Sequence, residues 1–114
     1  MLLKNPIIKE AVPVKRAVNY KAEFAHDNTR YPGVIVNLSE NSLYMIAFPT
    51  NSPIKLVPGT TLQVKLDPPS QEPICLQCQV TWSYKTPPHG LTQSIGMEII
   101  DSFPGYQHLL NDFS

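Results

Sequence analysis

Proline breaks this chain so often that no long regular element fits between the breaks. Twelve of its 114 residues are proline, against five glycine. Pro49, Pro53 and Pro58-Gly59 bracket one loop, Pro68, Pro69 and Pro73 a second, and Pro87, Pro88 and Gly90 a third. Proline lacks an amide donor and fixes φ, so clusters of it end helices and central strands. The pieces left over are strand-length, and inside them apolar residues recur at every second position.

The clearest piece is Thr61 to Asp67, where Leu62, Val64 and Leu66 alternate with Gln63, Lys65 and Asp67. This is the pattern of a strand with one wet face. Cys75 to Tyr84 repeats it, with Leu76, Cys78, Val80, Trp82 and Tyr84 assigned to one face, which puts Trp82 in the core. Val18, Tyr20, Ala22 and Phe24 form a third strand, closed by a turn at Asp27-Asn28. Val34 to Leu38 and Ser42 to Ala47 are more continuously apolar, as strands covered on both faces tend to be. Ile95, Met97 and Ile99 mark a sixth. Six short strands joined by polar turns predict an all-β fold, a sandwich or an antiparallel barrel, and closure into a barrel removes exposed sheet edges. The tail differs. Ser102 is placed to cap a short C-terminal helix from Phe103 or Pro104 to Phe113, with Tyr106, Leu109, Leu110 and Phe113 at helical spacing. The expected organisation is a flexible arm over residues 1–14 followed by one domain over residues 15–114.

Nine Lys plus Arg balance nine Asp plus Glu. A net charge of zero excludes a polyanion binder that works by bulk electrostatics, so no nucleic-acid partner is expected. The balance is uneven. Residues 1–30 hold six bases and three acids, a net of +3, which leaves −3 for the rest. An anion is therefore drawn first to the amino-terminal segment. Two cysteines are too few for a disulfide framework, Lys4, Pro6, Lys9 and Glu10 interrupt any secretory leader, and no run reaches the roughly 18 apolar residues of a membrane span. The expectation is a soluble, cytoplasmic protein.

Most catalytic chemistry fails on inspection. Cys75 and Cys78 have metal-site spacing, but inside a strand they face opposite sides with Cα atoms about 10 Å apart, beyond the roughly 7 Å limit for a disulfide. Zinc needs two further ligands, and only His26, His89 and His108 are available. There is no nucleophile elbow and no glycine-rich phosphate loop. The chain is not expected to be an enzyme or to carry a metal or other cofactor.

Two polar stretches remain. Lys15-Arg16-Ala17-Val18-Asn19 puts a cationic doublet where the arm meets the first strand. Asn37-Leu38-Ser39-Glu40-Asn41-Ser42 is a turn between two apolar strands, whose Asn and Ser side chains are suited to bonding their own backbone. The order of these motifs, then Val57-Pro58-Gly59-Thr60, Val80-Thr81-Trp82 and Ile95-Gly96-Met97-Glu98-Ile99, resembles the PilZ domain family across about residues 15–113. The resemblance implies a six-stranded barrel that serves bacterial signalling by binding cyclic di-GMP.

In that family an Arg-x-x-x-Arg motif and an Asp/Asn-x-Ser-x-x-Gly motif hold the nucleotide. Carried onto this sequence, the first becomes Lys15-x-x-x-Asn19, or Arg16-x-x-x-Tyr20 one residue on, and neither frame has two arginines. The second becomes Asn37-x-Ser39-x-x-Ser42, with serine in place of glycine. If the glycine serves a positive φ or a close approach of the ligand, Ser42 is a poor replacement, although Asn41 next to it tolerates a left-handed turn. The implied ligand site is Lys15, Arg16, Asn19, Asn37, Ser39 and Ser42. Two functions follow from the resemblance: a cyclic di-GMP receptor, or a degenerate adaptor that binds a protein partner of a motility, pilus or secretion apparatus without nucleotide.

Overall fold

The computed structural model describes residues 15–48, 54–69, 71–86, 92–102 and 105–111. The arm expected over residues 1–14 lies outside them. Six strands are present: β1 (Arg16–His26), β2 (Thr29–Leu38), β3 (Ser42–Ala47), β4 (Thr61–Asp67), β5 (Ile74–Lys85) and β6 (Gln93–Ser102), followed by helix α1 (Tyr106–Asn111). All neighbours are antiparallel, and the order β1-β2-β3-β6-β5-β4 closes on itself through β1–β4 pairing. The expected six-stranded barrel is what forms.

The turns follow from their residues. Asp27 and Asn28 link His26 to its partner Thr29 with φ of 51° and 64°. Asp and Asn tolerate this left-handed conformation, which a two-residue hairpin requires. Val57 to Thr60 turns with Pro58 and then Gly59 at φ 96°, closed by Thr60 N–H donating to Val57 C=O at 3.1 Å. Proline followed by a positive-φ glycine is the signature of a type II turn.

Strand β4 alternates without a break, exposed at Thr61, Gln63, Lys65 and Asp67 and buried at Leu62, Val64 and Leu66. Inward residues from every strand meet in one core, among them Phe24, Ile35, Met45, Val64, Leu76 and Ile95. Strands β2 and β3, expected to be covered on both faces, instead bury one face, while Val34, Val36, Tyr44 and Ile46 stay half-buried outside. Tyr31 and Pro32 belong to β2. Tyr31 packs on Phe24 with ring centroids 5.3 Å apart.

The helix departs from expectation. Ser102 ends β6 and so does not cap α1, and Gly105 at φ 110° turns the chain into a helix beginning at Tyr106. Phe103, Pro104 and Phe113 lie outside the described residues. Tyr106 and Leu109 are buried against the barrel core. Burial pushes the Tyr106 hydroxyl pKa up, and the nearby Cys78 raises it further. The hydroxyl donates to the Ser39 carbonyl, which ties α1 to the turn between β2 and β3. Cys75 and Cys78 are free and face opposite sides, as their strand spacing requires. Among the described residues no cluster of His, Cys, Asp and Glu is able to hold a metal, and no helix is long and apolar enough to cross a membrane.

Candidate functional site

Three strands lose their period of two at one end of the barrel. The β1–β2 register shifts between Ala17 and Tyr20, the β2–β3 register between Ile35 and Asn37, and the β5–β6 register between Val80 and Trp82. Each shift is a bulge, an extra residue that turns every side chain beyond it to the other face. In β2, Gly33 and Ile35 point inward, so unbroken alternation would bury Asn37. The bulge turns Asn37 outward and sends Leu38 into the core. In β5, Ile74, Leu76, Cys78 and Val80 point inward, and the bulge sends Trp82 outward at 40% exposure and Tyr84 at 50%. Trp82 is therefore not a core residue, contrary to the reading from its sequence pattern.

The outward residues line up across the sheet. Asn37 is opposite Tyr44, Tyr44 opposite Gly96, and Gly96 opposite Trp82. Paired residues share a face, so these four form one row over β2, β3, β6 and β5. Gly96 leaves the space that the Trp82 ring fills: a Cβ there would overlap the indole. The indole lies over the glycine, tilted against Tyr44 with centroids 5.4 Å apart and stacked on Tyr84 at 5.2 Å. In the next row Ser42 pairs with Glu98.

These two rows floor a cleft of about 380 Å³, which also takes in Lys15, Asn41 and Thr81. The volume lies within the roughly 300 to 1,000 Å³ typical of small-molecule sites. Lys15 supplies a cation at the mouth, Asn37 and Asn41 amides, Ser42 and Thr81 hydroxyls, Glu98 a carboxylate, and Trp82 a flat apolar plate.

The structure separates the residues marked out by sequence. Lys15, Asn37 and Ser42 line the cleft together. Arg16 opens β1 opposite Leu38 and is exposed, and Asn19 is exposed within the β1 bulge; neither lines the cleft. Ser39 does not line it either. At 1% exposure it is buried in the turn, where its hydroxyl meets Ser42 Oγ at 2.7 Å and accepts the Ser42 amide at 3.1 Å. Its role there is to set the turn's shape.

The serine at position 42 costs the turn nothing. Among the described residues only Asp27, Asn28, Gly59 and Gly105 have positive φ, so neither Ser42 nor Asn41 is left-handed. Asn41 closes the turn by a different route, with its Oδ1 accepting from the Ser39 hydroxyl at 3.3 Å. Sequence reasoning missed Trp82, Tyr44 and Glu98 as cleft residues. The available signal was Gly96, since a glycine inside a strand marks a bulge or a close approach.

Comparison with known proteins agrees with this fold. The PilZ domain family model matches residues 15–113. Two of the solved structures that share the fold illustrate it. One is the Bacillus subtilis inhibitor of motility (MotI/DgrA), at TM-score 0.69 and 13% identity over 89% of this chain and 47% of that one. The other is the PilZ domain of YcgR from Escherichia coli with c-di-GMP, at TM-score 0.67 and 13% identity over 89% of this chain and 86% of that one. This chain thus spans about half the length of the motility inhibitor. No curated protein matches the sequence at a significant level. With a closed six-stranded barrel and a family match from the start of β1 past the end of α1, the chain belongs to the PilZ domain family.

Proposed function

We propose that this PilZ-type signalling module binds cyclic di-GMP in the cleft over β2, β3, β6 and β5. The observation that carries the reading is the convergence of Lys15, Asn37 and Ser42 on one cleft beside an exposed indole. Lys15 meets phosphate, assisted by Arg16 and Asn19 further along the chain, which do not line the cleft. Asn37 and Ser42 give short directional hydrogen bonds to base or ribose, and Ser39 holds the turn that presents them. Trp82 offers a face for a guanine, and stacking on an aromatic contributes about 1 to 3 kcal/mol per base. A ligand of this kind is an intracellular messenger, so the same reading puts the domain in the cytoplasm.

The cationic motif sets the strength of binding. Lysine brings a point charge without the planar fork of arginine. Replacing an arginine by Asn19 removes a charge-assisted hydrogen bond, which contributes about 1.5 to 3 kcal/mol, or one to two decades of affinity. Asn19→Arg is accordingly expected to tighten cyclic di-GMP binding by about tenfold to a hundredfold.

Calorimetric titration with cyclic di-GMP of the wild type, Arg16→Ala and Asn37→Ala tests the proposal. Saturable heat is expected from the wild type, with about tenfold or greater weakening in Asn37→Ala. Ligand at a hundredfold excess over Kd is expected to stabilise the fold by about 2.7 kcal/mol. Absence of heat at millimolar nucleotide would exclude the receptor reading and leave that of a partner-binding adaptor.

A further inference from the structure

One carboxylate lines the cleft among the described residues, that of Glu98. A negative charge beside a ligand with two phosphates is unfavourable by simple Coulomb attraction and repulsion. Its place becomes intelligible if the carboxylate faces a part of the ligand that only donates hydrogen bonds. Guanine has such an edge. Its N1–H and N2–H2 are adjacent donors, matched in spacing to the two oxygens of a carboxylate. Adenine presents an acceptor at N1 beside its N6 amino group, which a carboxylate cannot satisfy.

The sheet register puts Glu98 one row along from Gly96 in the same cleft. Gly96 and Glu98 are two residues apart on β6 and share its outer face, about 6.6 to 6.8 Å from Cα to Cα. Gly96 is covered by the Trp82 indole, whose outer side is exposed, and Ser42 is directly opposite Glu98. A base stacked on the exposed Trp82 indole would share the cleft with the Glu98 carboxylate and the Ser42 hydroxyl. We infer that Glu98 reads the guanine edge and sets a preference for guanine over adenine in the bound dinucleotide. The inference rests on the cyclic di-GMP reading and adds its specificity determinant.

The test exploits the reversed pattern of glutamine. Glu98→Gln offers one acceptor and one donor, which fits the adenine edge and mismatches guanine, while Glu98→Ala removes both. Wild type and the two variants are titrated with cyclic di-GMP and cyclic di-AMP by calorimetry and by fluorescence of Trp82, the chain's one tryptophan. Glu98 is exposed, so thermal melts of all three are expected to coincide. The wild type is expected to prefer the guanine ligand by tenfold or more. Glu98→Gln is expected to lose about tenfold to a hundredfold for cyclic di-GMP and to gain for cyclic di-AMP. Glu98→Ala is expected to show the loss without the gain. Unchanged cyclic di-GMP binding in Glu98→Gln overturns the inference and leaves the receptor reading intact, as does a wild type that binds both ligands equally. A wild type that binds neither ends both.

Discussion

Strand β4 and the part of β5 that runs on past its last β4 partner, Gln79, are put to opposite uses. Alternation in β4 runs unbroken from Thr61 to Asp67, so each apolar side chain reaches the core. In β5 it holds only to Val80, after which one bulge turns Trp82 and Tyr84 out to solvent. Regular pairing makes the wall, and irregular pairing aims side chains at the site. The same contrast appears in β2, where Ile35 belongs to the core and Asn37, two residues on but past a bulge, belongs to the cleft.

The contrast is broken most severely by a truncation in the regular wall. Leu66 is fully buried in β4, so Leu66→Ala is expected to cost about 2 to 5 kcal/mol in denaturant unfolding. A smaller loss would mean that the wall repacks more freely than its alternation implies. Gly96→Ala comes next. Its Cβ displaces the indole, and overpacking of this kind costs about 1 to 3 kcal/mol. A shift in Trp82 emission should accompany the lost stability, because the ring has to move. Trp82→Ala sharpens the comparison from the other side. Melting is expected to change little for so exposed a residue, while cyclic di-GMP affinity falls by about 1 to 3 kcal/mol.

The last effect is a slope with pH, confined to alkaline solution. Burial pushes the Cys78 thiol from its ordinary 9.0 up to about 12. Between those values the unfolded chain has lost the proton and the folded chain keeps it, so the unfolded state binds fewer protons and stability falls as pH rises. Stability from this group is complete below about pH 9 and is lost on the way to about pH 12. Cys78→Ala should flatten that decline in unfolding measurements made across the interval.

How much of this was legible in the sequence divides along the same line. Strands β3 and β4 begin and end where the alternation said they would, and the hairpin at Asp27-Asn28 announced itself through residues that tolerate positive φ. The barrel is legible because burial imposes a period that composition must follow. A bulge imposes none. One extra residue at Thr81 reverses the face of Trp82 without changing any side chain, so the pattern assigned the indole to the core. Ser39 illustrates the complementary limit. Its place in the motif marked it for the ligand, but its hydroxyl is spent inside the turn on Asn41 and Ser42. Position 42 also needed geometry, because only backbone angles reveal that its conformation does not call for glycine.

The most direct measurement is an amide NMR titration of the full chain with cyclic di-GMP. Shifts are expected at Lys15, Asn37, Asn41, Ser42, Gly96 and Glu98, with the Trp82 indole N–H moving alongside them and the amides of β4 staying still. Saturating nucleotide that leaves the cleft signals unmoved, or that moves β4 in their place, would contradict a ligand site on this face of the barrel.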